Sequence, residues 1–245
     1  MKEMKFNVWS VTDKGLRRDS NQDSYLVNAE IGLFIVADGM GGHSGGEVAS
    51  SIAVKTSEDV AKDPEAKERS PREVLNKIYE EASHHIFDRA ANENPELAGM
   101  GTTMVMAYIR KNYIYVANVG DSRCYLFKKP HLWQLTEDHS LINEQIRAGV
   151  LNESTAQNLV GRNVITRSVG YERDVQPDVF EREIISGEMY LLCSDGLSSL
   201  VEDEKISQIL NKTSPENMAK ACVEEALANG GDDNVTVIVV QFTGG

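Results

Sequence analysis

Cysteine is scarce in this chain of 245 residues. Its three cysteines, Cys124, Cys193 and Cys222, are odd in number and far apart, which excludes a disulfide framework and a zinc cluster. Six residues after them stand Pro130, Ser199 and Ala228, where a cysteine phosphatase of the C-x5-R kind needs an arginine over its thiolate. Long apolar runs are also missing. None approaches the roughly 20 residues that span a bilayer, and Met1-Lys-Glu-Met-Lys-Phe6 has no apolar signal core. The expectation is a cytoplasmic protein with no membrane role. Positive charge is thin, with 25 Lys and Arg against 38 Asp and Glu and a formal net charge of -13. Without a local basic run, such a surface repels nucleic acid. No G-x4-G-K-[ST] phosphate loop occurs. No repeat, low-complexity stretch or Gly/Pro/Ser-rich linker divides the sequence, so residues 1–245 read as a single domain, long enough for a sizeable core.

What is present is a run of strand and helix signals without regular alternation. Residues 5–12, 23–29 and 32–37 read as strands, the last from Leu33-Phe-Ile-Val-Ala37. A helix follows from about Gly46 to Ala61, with Val48, Ile52 and Thr56 one turn apart. A second begins at Ser70-Pro-Arg-Glu73, where Ser70 can cap, Pro71 suits the first helical position and Glu73 closes a capping box. Val74, Ile78, Ala82 and Ile86 give it one apolar face. A meander occupies 104–109, 113–119, 123–127 and 132–135. Residues 140–170 are weakly periodic. Strands return at 178–185 and 189–193, helices at 203–211 and 215–228 with a capping signal at Ser214-Pro215, and a final strand at 235–242. This pattern predicts an α+β fold with antiparallel sheets packed between helices.

The informative feature is where aspartates sit. Asp38 ends the apolar strand Leu33–Ala37 and Asp195 ends Met189–Cys193, each followed by glycine. Asp121 follows Tyr113–Val119 after Gly120, Asp232-Asp233-Asn234 precedes Val235–Val240, and Asp23 opens a strand. Glycine beside a carboxylate lets the backbone approach whatever the carboxylate binds. If such strand ends converge, their charges repel unless cations lie between them, and an all-oxygen set suits Mg²⁺ or Mn²⁺. The alternative is that each Asp is a solvated turn or cap. Two cations about 3.5–4 Å apart can acidify a water and bind phosphoryl oxygens. That suits phosphate monoesters, whose hydrolysis calls for accelerations of up to roughly 10²¹. Arg17 and Arg18 are available to grip phosphate.

The segments Gly15-Leu-Arg-Arg-Asp-Ser-Asn-Gln-Asp23, Phe34-Ile-Val-Ala-Asp-Gly-Met-Gly-Gly-His43, Gly101-Thr-Thr103, Val119-Gly-Asp-Ser-Arg123, Leu135-Thr-Glu-Asp-His-Ser140, Ile165-Thr-Arg-Ser-Val-Gly170, Leu192-Cys-Ser-Asp-Gly-Leu197 and Asp233-Asn-Val-Thr236 together resemble the metal-dependent protein phosphatases of the phosphatase 2C type, in their bacterial form. Each alone is weak, but the ordered set is specific and covers nearly the whole chain. The resemblance implies a central sandwich of two antiparallel sheets flanked by pairs of antiparallel helices, in four layers αββα, with a flap at about 140–170. It implies hydrolysis of phosphoserine and phosphothreonine in proteins by a metal-activated water, without a phosphoenzyme. Asp38 is expected to bridge two core ions, Mn²⁺ or Mg²⁺. The Gly39 carbonyl is expected to bind one of them, and Asp195 and Asp233 the other. Asp23 orients metal-bound water, Asp121 with Asp195 matches a third, weaker ion, and Arg18 matches the phosphate-binding arginine. A cognate Ser/Thr kinase and its targets are the expected substrates of a signalling enzyme acting as a monomer.

Two positions depart from that pattern. Met40 stands where many eukaryotic members place histidine directly after Asp-Gly, so His43 becomes the candidate proton donor. Gln22 stands where some members carry a metal-facing glutamate.

Two other readings compete. Gly42-His-Ser44-Gly-Gly46 fits the G-x-S-x-G elbow of a serine hydrolase, with Asp121 and His139 as the nominees for its acid and base. No histidine occurs in residues 140–245, where that fold usually keeps its catalytic one. A catalytically silent phosphoprotein-binding module is the other, and loss of a metal-binding aspartate would signal it.

Overall fold

A computed structural model of the chain describes residues 5–42, 45–92, 95–152 and 164–244. The strands are β1 (Lys5–Asp13), β2 (Asp23–Asn28), β3 (Leu33–Met40), β4 (Gly101–Thr102), β5 (Met104–Arg110), β6 (Tyr113–Val119), β7 (Arg123–Lys128), β8 (His131–Gln134), β9 (Asp178–Glu183), β10 (Met189–Cys193) and β11 (Val235–Thr243). The helices are α1 (Gly45–Lys62), α2 (Pro71–Asn92), α3 (Leu141–Arg147), α4 (Asp195–Ser198), α5 (Asp203–Lys212) and α6 (Pro215–Ala228). One antiparallel sheet has the order β1-β11-β10-β7-β8 and the other β2-β3-β5-β6-β9, with β4 paired to β3.

The period of two along each strand sorts its side chains into separate apolar layers. In β3, Phe34 and Val36 face the other sheet, while Leu33 and Ile35 face helices α1 and α2. In β11, Ile238, Val240 and Phe242 share the inter-sheet layer, while Val235, Val237 and Val239 face α5 and α6. Central strands with both faces buried explain the unbroken apolar runs of the sequence. The result is the expected four-layer arrangement, with α1 and α2 over one sheet and α5 and α6 over the other.

The Ser70 capping box forms as expected. Glu73 N–H donates to Ser70 Oγ at 3.3 Å and Ser70 N–H donates to Glu73 Oε2 at 2.8 Å. Val74, Ile78, Ala82 and Ile86 are all fully or almost fully buried. Two local expectations are corrected. Ser214 occupies the cap position of α6, but its hydroxyl accepts from the Asn217 side chain at 3.0 Å and not from a backbone amide. Helix α1 buries Ala49, Ala53, Ser57 and Val60, and Thr56 of the expected row, whereas Val48 and Ile52 only flank the core. Small residues let the helix lie close on the sheet, so volume overrode the larger apolar stripe. Helix α3 went unread because seven residues are too few to show a period.

Candidate active site

The inter-sheet layer turns polar at one end of the sandwich. The face that presents Phe34 and Val36 next presents Asp38, and the face that presents Val240 and Ile238 next presents Thr236. Asp23 is the direct cross-strand partner of Asp38. Its Oδ2 accepts from Thr236 Oγ1 at 2.6 Å and from Ser194 Oγ at 2.8 Å, so one carboxylate oxygen joins both sheets. Asn234 fastens the loop that carries Arg18. Its Oδ1 accepts from Gln22 N–H at 2.8 Å, and its Nδ2 donates to the Lys14 and Ser20 carbonyls at 2.8 and 2.9 Å.

The glycines after Asp38 and Asp195 are required by close packing. A Cβ on Gly39 would overlap the Gly46 carbonyl at the start of α1, and one on Gly196 would overlap the Asn234 carbonyl. The Asp38 backbone is held on three sides. Its carbonyl accepts from Thr103 N–H at 2.8 Å and Thr102 Oγ1 at 2.9 Å, and its N–H donates to Thr103 Oγ1 at 3.1 Å. Thr103 Oγ1 also meets Ser122 Oγ at 2.7 Å, which links Asp38 to the loop of Asp121. That loop is clamped at both ends by consecutive residues. Arg123 grips the Asp138 carboxylate, with Nη2 to Oδ2 at 2.6 Å and Nε to Oδ1 at 3.0 Å. Gly120 N–H donates to His139 Nδ1 at 3.0 Å, and His139 N–H returns to the Gly120 carbonyl at 3.0 Å.

The electrostatics of the cluster are unfavourable as it stands. Burial pushes Asp23 up to about 7 despite its two hydroxyl donors. Burial with the Asp195 and Asp138 charges does the same to Asp121, also to about 7. Burial together with Asp23, Asp195 and Asp121 holds Asp38 well above the ordinary carboxylate range, and Asp38 and Asp195 are close enough to share a hydrogen bond. Burial and then Asp233 raise Asp195. Two ionised carboxylates about 4 Å apart repel by about 4 kcal/mol at an effective dielectric of 20, a large part of the 5–15 kcal/mol that stabilises a domain. Among the described residues the buried Oδ1 atoms of Asp23, Asp121 and Asp195 find no hydrogen-bond partner, and native proteins seldom strand such atoms. Divalent cations satisfy both conditions at once, and the donors are all oxygen. Among the described residues no three acidic, His or Cys side chains form a complete cage. That fits ions held by one or two carboxylates, a carbonyl and water, as Mg²⁺ is commonly bound.

Arg18, Asp38, Gly39, Asp195 and Asp233 line one cleft of about 580 Å³, with Gln22 and Met40 in its walls. Asp23 and Asp121 are not among its lining residues. Arg18 Nη2 donates to Asp233 Oδ2 at 2.6 Å. Arg17, the other candidate, also lines the cleft but approaches exposed Asp232, at 3.8 Å, and not Asp233. His43 and Ser44 lie outside the described residues. Another hollow, of about 1000 Å³ between α1 and α2, gathers none of these groups. His139 does not join Asp121 as a hydrolase dyad requires: Nδ1 is taken by Gly120 and Nε2 faces Asp178 at 3.1 Å. The sequence reading gave no role to Ser194, Thr236 or Thr103. Thr236 alone had a visible signal, its place in phase with inward Ile238 and Val240.

The model of the family described as protein phosphatase 2C matches residues 3–235. The serine/threonine phosphatase stp of Listeria welshimeri is 39% identical over 237 residues, which are 94% of this chain and 93% of that one. The crystal structure of the Mycobacterium tuberculosis serine/threonine phosphatase PstP/Ppp superposes with a TM-score of 0.90 at 33% identity, covering 98% of this chain and 99% of the other. The catalytic domain of PstP, solved in complex with two manganese ions, gives a TM-score of 0.87 at 32% identity, covering 98% and 100% of the two chains. With the family model matched along nearly its whole length and relatives of this closeness, the chain belongs to the protein phosphatase 2C family.

Proposed function

We propose that this chain hydrolyses phosphoserine and phosphothreonine in proteins, using two divalent cations held by Asp38, the Gly39 carbonyl, Asp195 and Asp233. The observation that carries the reading is the set of buried carboxylates with stranded oxygens around one cleft that also presents Arg18. When bound, the cations, Mn²⁺ or Mg²⁺, neutralise phosphoryl charge and acidify a water. The chain's own residues then have distinct tasks. Arg18 swings from Asp233 to the phosphoryl oxygens, which its planar fork fits. Asp23, anchored by Ser194 and Thr236, fixes the position of water beside Asp38. The leaving alkoxide takes its proton from water or from His43. Asp121 and Asp195 would hold a third, weaker ion, with the Asp121 loop positioned by the Asp138–His139 clamp. We further propose a single catalytic domain whose flap at about 140–170 borders the cleft. In this reading the enzyme is a cytoplasmic monomer that acts on a cognate Ser/Thr kinase and its targets. Among the described residues no helix is long and apolar enough to cross a membrane.

The direct test is phosphate release from phosphothreonine, phosphoserine and phosphotyrosine peptides, with Mn²⁺ and with excess chelator. Turnover of the first two with Mn²⁺ only is expected. Equal turnover of phosphotyrosine, or full activity in chelator, refutes the proposal. Asp121→Ala should slow turnover by about 10–100-fold, the scale for groups supporting a metal site, while metal analysis still finds two bound ions. Loss of a core ion from that variant contradicts the division of roles.

A further inference from the structure

A second hollow of about 400 Å³ opens beside the catalytic cleft and shares two of its walls, Met40 and Ile165. Its outer side is a turn held rigidly on helix α2. Gly170 N–H donates to Ser83 Oγ at 3.0 Å, and Ser83 Oγ donates to the Glu172 carbonyl at 2.8 Å. Gly170 has φ +90° and lies so close over Ile86 that a Cβ there would collide with it. Between these anchors Tyr171 stands 64% exposed, an aromatic ring on a fixed backbone. A large apolar surface presented on a rigid support beside an active site marks a binding surface more than a folding device.

The charges of this hollow have one sign to spare. The Arg167 guanidinium is occupied by Asp178 Oδ1 at 3.0 Å and by the Gln176 carbonyl. Two carboxylates remain on the rim, Glu172 and Asp174. Among the described residues Asp174 meets only the His84 ring, at 2.9 Å, and Glu172 has no ion-pair partner, while Arg173 between them reaches Asp88 at 3.7 Å and the His84 ring at 3.5 Å. Val175 adds to the apolar floor.

We propose that this hollow is a substrate subsite for an arginine or lysine side chain a few residues from the phosphorylated one. The inference rests on the phosphatase reading above and names the substrate class of that same cleft. A polypeptide with its phosphate at Arg18 and the aspartates leaves the cleft over Met40, whose flexible thioether adapts to differing chains. The methylene stem of a flanking Arg or Lys lies along Tyr171 and Val175 while its head stays in water. The cation faces the Tyr171 ring and the carboxylates of Glu172 and Asp174. Acidic flanking residues meet repulsion at the same place.

The test is a set of phosphothreonine peptides in which each flanking position in turn carries Arg, Ala or Glu, assayed with Mn²⁺ beside p-nitrophenyl phosphate. At one register, Arg should exceed Glu by about 10-fold in kcat/KM, and Glu172→Lys with Asp174→Lys should remove or invert that preference. Tyr171→Ala should lower turnover of the Arg peptide at that register by a few-fold. The general field of a chain with net charge -13 would favour Arg equally at every position, so an even preference along the peptide overturns the subsite. So does a wild-type preference that survives the double charge reversal. The small ester carries no flanking residue, so its normal hydrolysis in those cases leaves the catalytic reading standing. Failure to hydrolyse it ends both.

Discussion

Asp38→Asn is expected to abolish turnover of p-nitrophenyl phosphate with Mn²⁺, a fall on the order of 10³-fold or more by the scale of removing one preorganised electrostatic group. The substitution keeps shape and polarity, and the three backbone bonds that fix residue 38 come from Thr102 and Thr103 and do not use its carboxylate. What is lost is the negative charge between Asp23 and Asp195. The same change should raise stability when no metal is bound. Burial and three neighbouring carboxylates act against the ionised Asp38, and an amide escapes that penalty. In excess chelator the variant should melt several degrees above wild type, because each 1 kcal/mol moves a chain of this size by about 2–4 °C. Wild-type rates in the variant, or a lower melting temperature in chelator, would refute the central role given to Asp38.

Removing the metal is the second large effect, and it should show in the pH dependence of stability as well as in lost activity. Asp23 and Asp121 are each raised to about 7 in the fold, against roughly 3.9 in an unfolded chain. A carboxylate with a raised folded pKa binds its proton more tightly when folded. Its favourable contribution is complete below about 4 and fades as pH rises through about 7. Chelated protein should therefore grow more stable as pH falls from 8 towards 5. With Mn²⁺ at 100 times its dissociation constant, binding adds about 2.7 kcal/mol, and proton competition for the ligands should flatten or reverse that trend. Thermal melts across this range, with and without Mn²⁺, decide the matter. Identical pH profiles in the two conditions would mean that these carboxylates do not hold the ions.

Much of this was legible in local sequence. The run Leu33–Ala37 ending in Asp38-Gly39, and Met189–Cys193 ending in Ser194-Asp195-Gly196, announce strand ends bearing carboxylates beside tight turns. The Ser70-Glu73 box placed a helix start correctly. The partners of those carboxylates were not legible, because the bonds that orient Asp23 come from Ser194 and Thr236, 171 and 213 residues away. Only the meeting of two sheets brings them together, and no local period records it. The clamp on Asp121 joins Gly120 and Arg123 to Asp138 and His139 across the β7–β8 hairpin. All four lie in segments that carry the family resemblance, yet their spacing alone gives no reason for the link. Helix α1 differed for another reason: of the row Val48, Ile52 and Thr56 only Thr56 is buried, and the close approach to β3 selected mostly small residues.

The placement of β11 has a consequence for synthesis. This strand, last in order among those described, lies between β1 and β10, and β1 has no other neighbour in its sheet. Strand β1 thus waits for β11 before it can pair in this sheet. Until then it offers open backbone groups and half its apolar surface to chaperones or to other nascent chains. Asp233 and Thr236 arrive with the same late segment, so an incomplete chain carries neither the finished sheet nor the finished cluster of carboxylates.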